Sequence, residues 1–341
     1  MPTTTTHHPA REVALAAAVQ RAERLYGTGA LRRLRSDQPP TPIPVIPTGS
    51  LALDAALGIG GVPRGRVTEV FGPEAAGKTT LALSVIAQAH AAGGLAAVVD
   101  VEHALDPAWA SRLGVDLDRL VLAQPDTGEQ ALELVDILAR SAAVDAIAVD
   151  SAASLVPRAE VEGEMGDSYA GLQARLIAQA LRKLAAPLAK TQTALIFCNQ
   201  LRQNVGTLFG NPEFAPGGRA LKFHASLRLD VRRVQAIKDG PEVVGARTRV
   251  KVVKNKLAAP YRWAEFDLSY TRGIDATAEL VEIGADLGLL TKAGPALTFA
   301  RTPLGHGRAQ AAKHLRNHPD LAAQLDREIR TRLAQPAALA S

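Results

Sequence analysis

Cysteine is almost missing: Cys198 is the only one among 341 residues, which excludes an intramolecular disulfide and any cysteine metal cluster. Set in the apolar run 194–198, it reads as a small buried hydrophobe rather than a nucleophile. Long apolar stretches are missing too. No uninterrupted run approaches the roughly 18 residues that a membrane-spanning helix needs, so no membrane partner is expected. The Thr-rich start, residues 1–8, has no apolar segment ahead of a small-residue cleavage site, and the expected location is cytoplasmic. Charge of one sign is only mildly in excess, at +5 with a pI near 9.5. That favours an acidic partner only where the basic residues cluster.

With 47% hydrophobic and 21% charged residues, the chain can bury a large core, and its length suggests a main domain with a smaller unit appended. Val13, Leu15, Val19, Ala22, Leu25 and Tyr26 recur at near-helical spacing, and Gly27 with Gly29 stops the run, so an amphipathic leading helix is expected. Prolines 39, 40, 42, 44 and 47 deny helix to the connector that follows. Apolar, β-rich runs then alternate with helical stretches: 67–71, 79–92, 95–101, 120–123, 128–141, 146–150, 171–190 and 194–200. This alternation predicts an α/β fold with a mostly parallel sheet covered by helices. Residues 226–233 and 248–254, separated by Lys238-Asp239-Gly240-Pro241, predict two later strands joined by a hairpin. Residues 273–341 read as mostly helical with a break around 294–307. The expected division is 1–39 for the helix and linker, 40–274 for the core, and 275–341 for a small C-terminal α/β domain.

The chemistry concentrates at Gly72-Pro73-Glu74-Ala75-Ala76-Gly77-Lys78-Thr79, which fits G-x-x-x-x-G-K-[ST] between a strand and a helix. The glycines let backbone N–H groups converge on phosphate oxygens, the helix offers its positive dipole end, and Lys78 adds a point charge. Thr79 presents a hydroxyl to Mg2+. The ligand this predicts is ATP. Asp150 ends the run 146–149, so its carboxylate emerges at the edge of the sheet that carries the phosphate loop, in place to hold the Mg2+ through water. Glu102 follows the run 95–101 in the same way and is a candidate base for the water attacking the γ-phosphate. Asp100 competes for that role, and spacing does not separate the two.

Several segments in order resemble the bacterial RecA recombinase family over nearly the whole chain. They are Thr48-Gly49-Ser50-Leu51-Ala52-Leu53-Asp54, residues 72–80, Glu102-His103-Ala104-Leu105-Asp106-Pro107, residues 124–133, residues 160–168, Phe209-Gly210-Asn211-Pro212-Glu213, and residues 249–256. The resemblance implies a RecA-type P-loop ATPase core, an N-terminal helix that bridges subunits, and a helical filament on single-stranded DNA with ATP between adjacent subunits. It also implies pairing with homologous duplex DNA, strand exchange in recombinational repair, and promoted self-cleavage of a LexA-type repressor in the SOS response. A divergent RecA-fold ATPase, or a mainly regulatory filament with reduced strand exchange, is the alternative.

By position, the resemblance makes Glu102 the hydrolytic base and extends the phosphate contacts to Thr80. Asp106, Trp109 and Tyr270 become adenine-side contacts, and Gln200 becomes the γ-phosphate sensor leading into a DNA loop. Lys254 and Lys256 become the lysines that reach a neighbouring subunit's ATP. DNA contacts fall on Arg175 and Arg182, seven apart on one helix face, and on Arg202, Val205, Gly217 and Gly218 in the second loop. The segment around Lys254 holds nine basic residues (228, 232, 233, 238, 247, 249, 251, 254 and 256) against acids at 230, 239 and 242, which suits a polyanion. The chain departs from the family's pattern at Gln203, Asn204, Phe214-Ala215-Pro216, Ala170, Ala296 and Leu297, and its last residues lack an acidic run.

Overall fold

A computed structural model describes residues 8–31, 33, 42–164, 169, 171–203, 213–214 and 217–333. The chain separates into two units, 1–42 and 43–341. The first contains the expected leading helix, α1 (Pro9–Tyr26). Pro9 sits where its missing N–H costs nothing, and Gly27 ends the helix at φ +92°. No residue of α1 is buried within the chain.

The second unit runs β1 (Val45–Ile46), α2 (Leu51–Leu57), β2 (Val62–Pro63), β3 (Val67–Gly72), α3 (Lys78–Ala91), β4 (Ala96–Asp100), α4 (Pro107–Arg112), β5 (Leu120–Ala123), α5 (Gly128–Ser141) and β6 (Ala146–Asp150). It continues with α6 (Arg158–Val161), α7 (Leu172–Thr191), β7 (Ala194–Gln200), the short pair β8 (Arg202–Gln203) and β9 (Glu213–Phe214), α8 (Ala220–His224), β10 (Leu227–Asp239), β11 (Glu242–Asn255), β12 (Trp263–Ser269) and β13 (Gly273–Ile274). Last come α9 (Ala276–Asp286), β14 (Thr291–Ala293), β15 (Ala296–Phe299), β16 (Thr302–His306), α10 (Gly307–Asn317) and α11 (Pro319–Leu333).

Among the described residues, nine strands form one sheet in the order β13-β12-β11-β10-β3-β7-β6-β4-β5. The members from β10 to β5 pair in parallel and the others antiparallel. The central strands are apolar throughout because both faces are covered, and their period of two divides them between two cores. Ala96 and Val98, Ala146 and Ala148, and Ile196 and Cys198 join α2 and α3 in one core. Ala97 and Val99, Ile147 and Val149, and Leu195 and Phe197 join α5 and α7 in the other. Cys198 is fully buried, as its apolar setting predicts.

The predicted hairpin is present but longer: β10 and β11 stay paired up to Asp239 and Glu242, so Gly240-Pro241 forms the turn, with Gly240 at φ +60°. The break expected around 294–307 is corrected to a three-stranded antiparallel sheet, β14-β15-β16. Its strands are three to five residues long, too short for their alternation to stand out from the flanking helices. Together with α9, α10 and α11 it encloses a third core around Phe299, Leu315, Leu325 and Ile329.

A buried carboxylate ties this third core to α2. Glu279, 2% exposed, accepts from Ser50 Oγ at 2.6 Å and from the Leu51 N–H at 3.1 Å, supplying an acceptor at the start of a helix that Ser50 also caps. Burial pushes the Glu279 carboxyl up to about 8, and the neighbouring Asp54 carboxylate adds to the rise. The folded chain therefore keeps a proton that the unfolded chain releases near 4.5, and the stability this group contributes falls as pH rises through that window. Glu279→Gln removes the ionisation. Between about pH 5 and about pH 8, the wild-type melting temperature is expected to fall by several degrees relative to that of the variant, read by circular dichroism.

Candidate functional site

The phosphate loop joins β3, in the middle of the sheet, to α3. Gly77 stands before α3 at φ +98°, and a Cβ there would lie 2.5 Å from Leu268 Cδ1, so conformation and space both require glycine. Gly72 has ordinary backbone angles but no room: its Cβ would lie 2.1 Å from the Val231 carbonyl oxygen. No side chain caps the first turn of α3, which leaves its N–H groups facing the loop. Lys78 is buried and donates to the Pro73 carbonyl at 2.7 Å, holding its ammonium inside the loop. Burial lowers its pKa, while Asp150, Glu102 and Glu74 act against that.

Thr79 Oγ1 donates to Asp150 at 2.5 Å, which brings the two proposed metal-holding groups together at the carboxyl edge of β3 and β6. Burial raises the Asp150 carboxyl above its usual range, against the hydrogen bond from Thr79. A hydroxyl and a carboxylate are hard oxygen donors of the kind Mg2+ takes, and the loop's N–H groups and ammonium suit phosphate oxygens, so the residues present fit a Mg2+–nucleotide.

A cleft of about 230 Å³ opens beside the loop, lined by Ala75–Thr80, Trp109, Ala246, Thr248, Leu268, Ser269 and Tyr270. Trp109 is half-buried against the core and Tyr270 is exposed, so two aromatic rings border the cleft. Asp106 lies outside this lining. Its carboxylate caps α4 by accepting from the Ala108 N–H at 2.8 Å.

Asp100 and Glu102, which spacing leaves unresolved, separate clearly in the fold. Asp100 is 3% exposed, and its oxygens accept from the N–H groups of Ala104 and Leu105 and from Gln124 Nε2, so it is committed to shaping the turn after β4. Glu102 is exposed, and its Oε1 accepts from Ser151 Oγ at 2.5 Å, Ser154 Oγ at 3.0 Å and Gln200 Nε2 at 2.9 Å. Sequence reasoning missed both serines; their position one and four residues after the strand-ending Asp150 was the available signal. Gln200 ends β7 and joins Glu102 in space across 98 residues of sequence.

Lys254 and Lys256 lie away from the phosphate loop of their own chain. Lys256 N donates to the Ser226 carbonyl, and the Ser226 N–H donates to Val67, at the opening of β3, whereas the loop leaves the other end of that strand. Both ammoniums rest on the C-terminal carbonyls of α8: Lys254 on Lys222 and Phe223, Lys256 on Phe223. Burial, then the charges of Lys256 and Arg228, lower the Lys254 pKa.

Arg175 and Arg182 are exposed on α7, whose inner side is held by Ile177, Leu181, Leu184 and Leu188, and neither forms an ion pair among the described residues. Gly217 and Gly218, at φ +84° and +69°, press on this helix, where Cβ atoms would lie 2.8 Å from Ile177 Cδ1 and from Ala174 Cβ. Val205, Asn204, Phe209, Ala170, residues 165–168 and 215–216, and the last eight residues lie outside the described residues, as do the side chains of Arg202, Gln203 and Phe214. The basic cluster of 226–256 is partly neutralised. Arg228 pairs with Glu69, Arg232 with Glu213 and Asp230, Arg247 with Glu265, Asp267 and Glu282, and Arg249 with Glu265.

Two family models account for most of the chain: the RecA N-terminal domain over residues 13–275 and the RecA C-terminal domain over residues 278–334. Proteins named RecA are similar throughout. The one from Clavibacter michiganensis is 54% identical over 323 residues, 95% of this chain and 89% of its own length. Those from Streptomyces avermitilis and Acidothermus cellulolyticus are each 56% identical over 95% of this chain, covering 85% and 93% of their own lengths. Among solved structures, a crystal structure of the RadB recombinase superposes with a TM-score of 0.52 at 24% identity, over 67% of this chain and 98% of its own, which is a likeness of fold.

Fold and phosphate loop thus define a nucleotide-binding P-loop ATPase with a mostly parallel sheet. The chain belongs to the RecA family of DNA-dependent ATPases of recombination and repair. Among the described residues, no helix is long and apolar enough to cross a membrane.

Proposed function

We propose that this chain assembles on single-stranded DNA as a helical filament, binds ATP with Mg2+ at 72–80, and uses Glu102 to activate the hydrolytic water. The observation that carries the reading is the hydrogen bond from Gln200 Nε2 to Glu102 Oε1. One side chain that opens the segment running to Gly217 and Gly218 also holds the proposed base, which gives DNA contact a direct route to the chemistry. The Mg2+, held by Thr79 and Asp150, neutralises charge on the phosphates when bound. Lys78 orients them, while Trp109 and Tyr270 enclose the base, with Asp106 at the same helix start as Trp109. Lys254 and Lys256 act on the ATP of the neighbouring subunit, and their distance from the chain's own loop supports that assignment.

Arg175, Arg182, Arg202, Val205, Gly217 and Gly218 then grip the DNA. The filament pairs with homologous duplex, exchanges strands, and promotes self-cleavage of a LexA-type repressor in the cytoplasm. Residues 1–39 bridge subunits, 40–274 form the ATPase core with its DNA loops, and 275–341 form the small C-terminal domain. The test is ATP hydrolysis with and without single-stranded DNA, across a salt series. The expected result is strong stimulation by DNA, weakened as salt rises and lost in Lys78→Ala. Hydrolysis indifferent to DNA would remove the filament reading.

A further inference from the structure

Glu102 is held through one oxygen only. Ser151, Ser154 and Gln200 all donate to Oε1, and Oε2 accepts from no described residue. The two serines bracket one short turn, Ala152–Ser154: Ser151 stands just before it and Ser154 ends it, with their hydroxyls 3.2 Å apart. That turn is itself gripped from a different element. Gln173, in the first turn of α7, donates through Nε2 to the Ala152 carbonyl at 3.3 Å and the Ala153 carbonyl at 2.9 Å.

The chain order gives this arrangement its meaning. The resemblance implies two DNA-contacting loops, roughly 160–168 and 201–218; Gln200 stands directly before the second, and Gln173 lies five residues after the first. The residue before the second loop thus donates to Oε1 directly, and a residue shortly after the first holds the turn that carries the other two donors.

We propose that Gln173, Ser151 and Ser154 are positioning residues: they hold Glu102 Oε1 while Oε2 faces the water, and they carry the placement of the 160–168 segment to the base. The inference rests on the reading of Glu102 as that base. When Gln200 turns toward a γ-phosphate, Oε1 loses one of its three donors, and the serine pair keeps the carboxylate from rotating. Gln173 sets where the pair stands, because a shift of α7 pulls the turn by its carbonyls. None of the three touches the reacting atoms.

The experiment uses the full-length chain with ATP, Mg2+ and an oligo-dT strand, reading kcat, KM for ATP and strand affinity by anisotropy. Ser154→Ala is expected to lower kcat roughly tenfold, with KM and strand affinity unchanged, because a base displaced by a fraction of an ångström loses rate rather than binding. Gln173→Glu keeps the length of the side chain but cannot donate to two carbonyls, and it should produce the same loss. Ser154→Thr keeps the hydroxyl and should restore turnover. The double variant Ser154→Ala/Gln173→Glu should be no slower than the worse single variant, since both act through one turn.

Unchanged kcat in either single variant, or multiplying losses in the double, would overturn the proposal. Glu102→Gln is measured beside them. If it turns over normally, the base reading falls and this inference with it; if it is inactive while Ser154→Ala is unaffected, only the positioning role falls.

Discussion

Glu102→Gln is expected to slow ATP turnover on single-stranded DNA by about 10²–10³-fold, within the usual worth of a positioned general base, while nucleotide still binds. The substitution isolates one function. An amide can offer its oxygen to Ser151, Ser154 and Gln200 as the carboxylate Oε1 does, so the network around the site keeps its acceptor. At the Oε2 position, however, an NH2 group replaces an oxygen and cannot take a proton from water. Lys78, Thr79 and Asp150 are untouched, which is why binding of a fluorescent ATP analogue should match the wild type. Filaments should form and persist, because the step that would release them is blocked. Single-turnover hydrolysis alongside analogue titration checks both halves. Loss of binding together with turnover would mean that Glu102 shapes the loop instead of acting on water, and near-normal turnover would return the role to another group.

That prediction shows how far the sequence is legible. The phosphate loop is local: eight consecutive residues with a strand before and a helix after, so pattern alone places Lys78 and Thr79. Asp150 is nearly as plain, because it closes an apolar strand at the sheet edge that also carries the phosphate loop. Asp100 against Glu102 is different. Both sit at the same strand end, and what separates them is the turn that follows, in which two N–H groups and the Gln124 amide claim Asp100. Gln124 is 24 residues away and reaches Asp100 because β5 pairs with β4 at the sheet edge, a fact of topology rather than spacing. Gln173 is less legible still, since it reads as one polar position on an amphipathic helix.

Most of the strands that escaped detection are short. β1, β2, β13 and the strands around Phe299 are two to five residues long, below the length at which a period of two outweighs composition. β12 lies in a segment of mixed charge, where Glu265 and Asp267 alternate with Phe266 and Leu268. Its alternation is clear once β11 supplies Arg249 and Arg247 as cross-strand partners. The lysines at 254 and 256 rest on the resemblance alone, and their own geometry explains why spacing could not place them: they lie on and just after β11, near the end of β3 opposite the phosphate loop.

Arg228→Ala is expected to destabilise the chain by about 3–5 kcal/mol, the usual consequence of leaving a buried charge without its partner. The guanidinium donates to Glu69 Oε2 at 2.5 Å and lies 4.5 Å from the centre of the Phe71 ring, with side-chain exposures of 13% for Arg228 and 1% for Glu69. The other oxygen of Glu69 accepts from Asn199 Nδ2 at 3.0 Å. Removing Arg228 leaves the buried Glu69 carboxylate between β3 and β10 without its charged partner. Glu69→Gln/Arg228→Met makes the site neutral, keeps an acceptor for Asn199 and fills much of the volume, so its loss should be far smaller than that of the single variant. Guanidinium denaturation of the three proteins decides between them, and a double variant as unstable as the single would show that volume and not charge holds the strands. Asn199 immediately precedes Gln200, so the same pair fixes the strand end from which Gln200 reaches Glu102. The single variant should therefore also lose stimulation by DNA at temperatures where it remains folded, and the double should keep most of it.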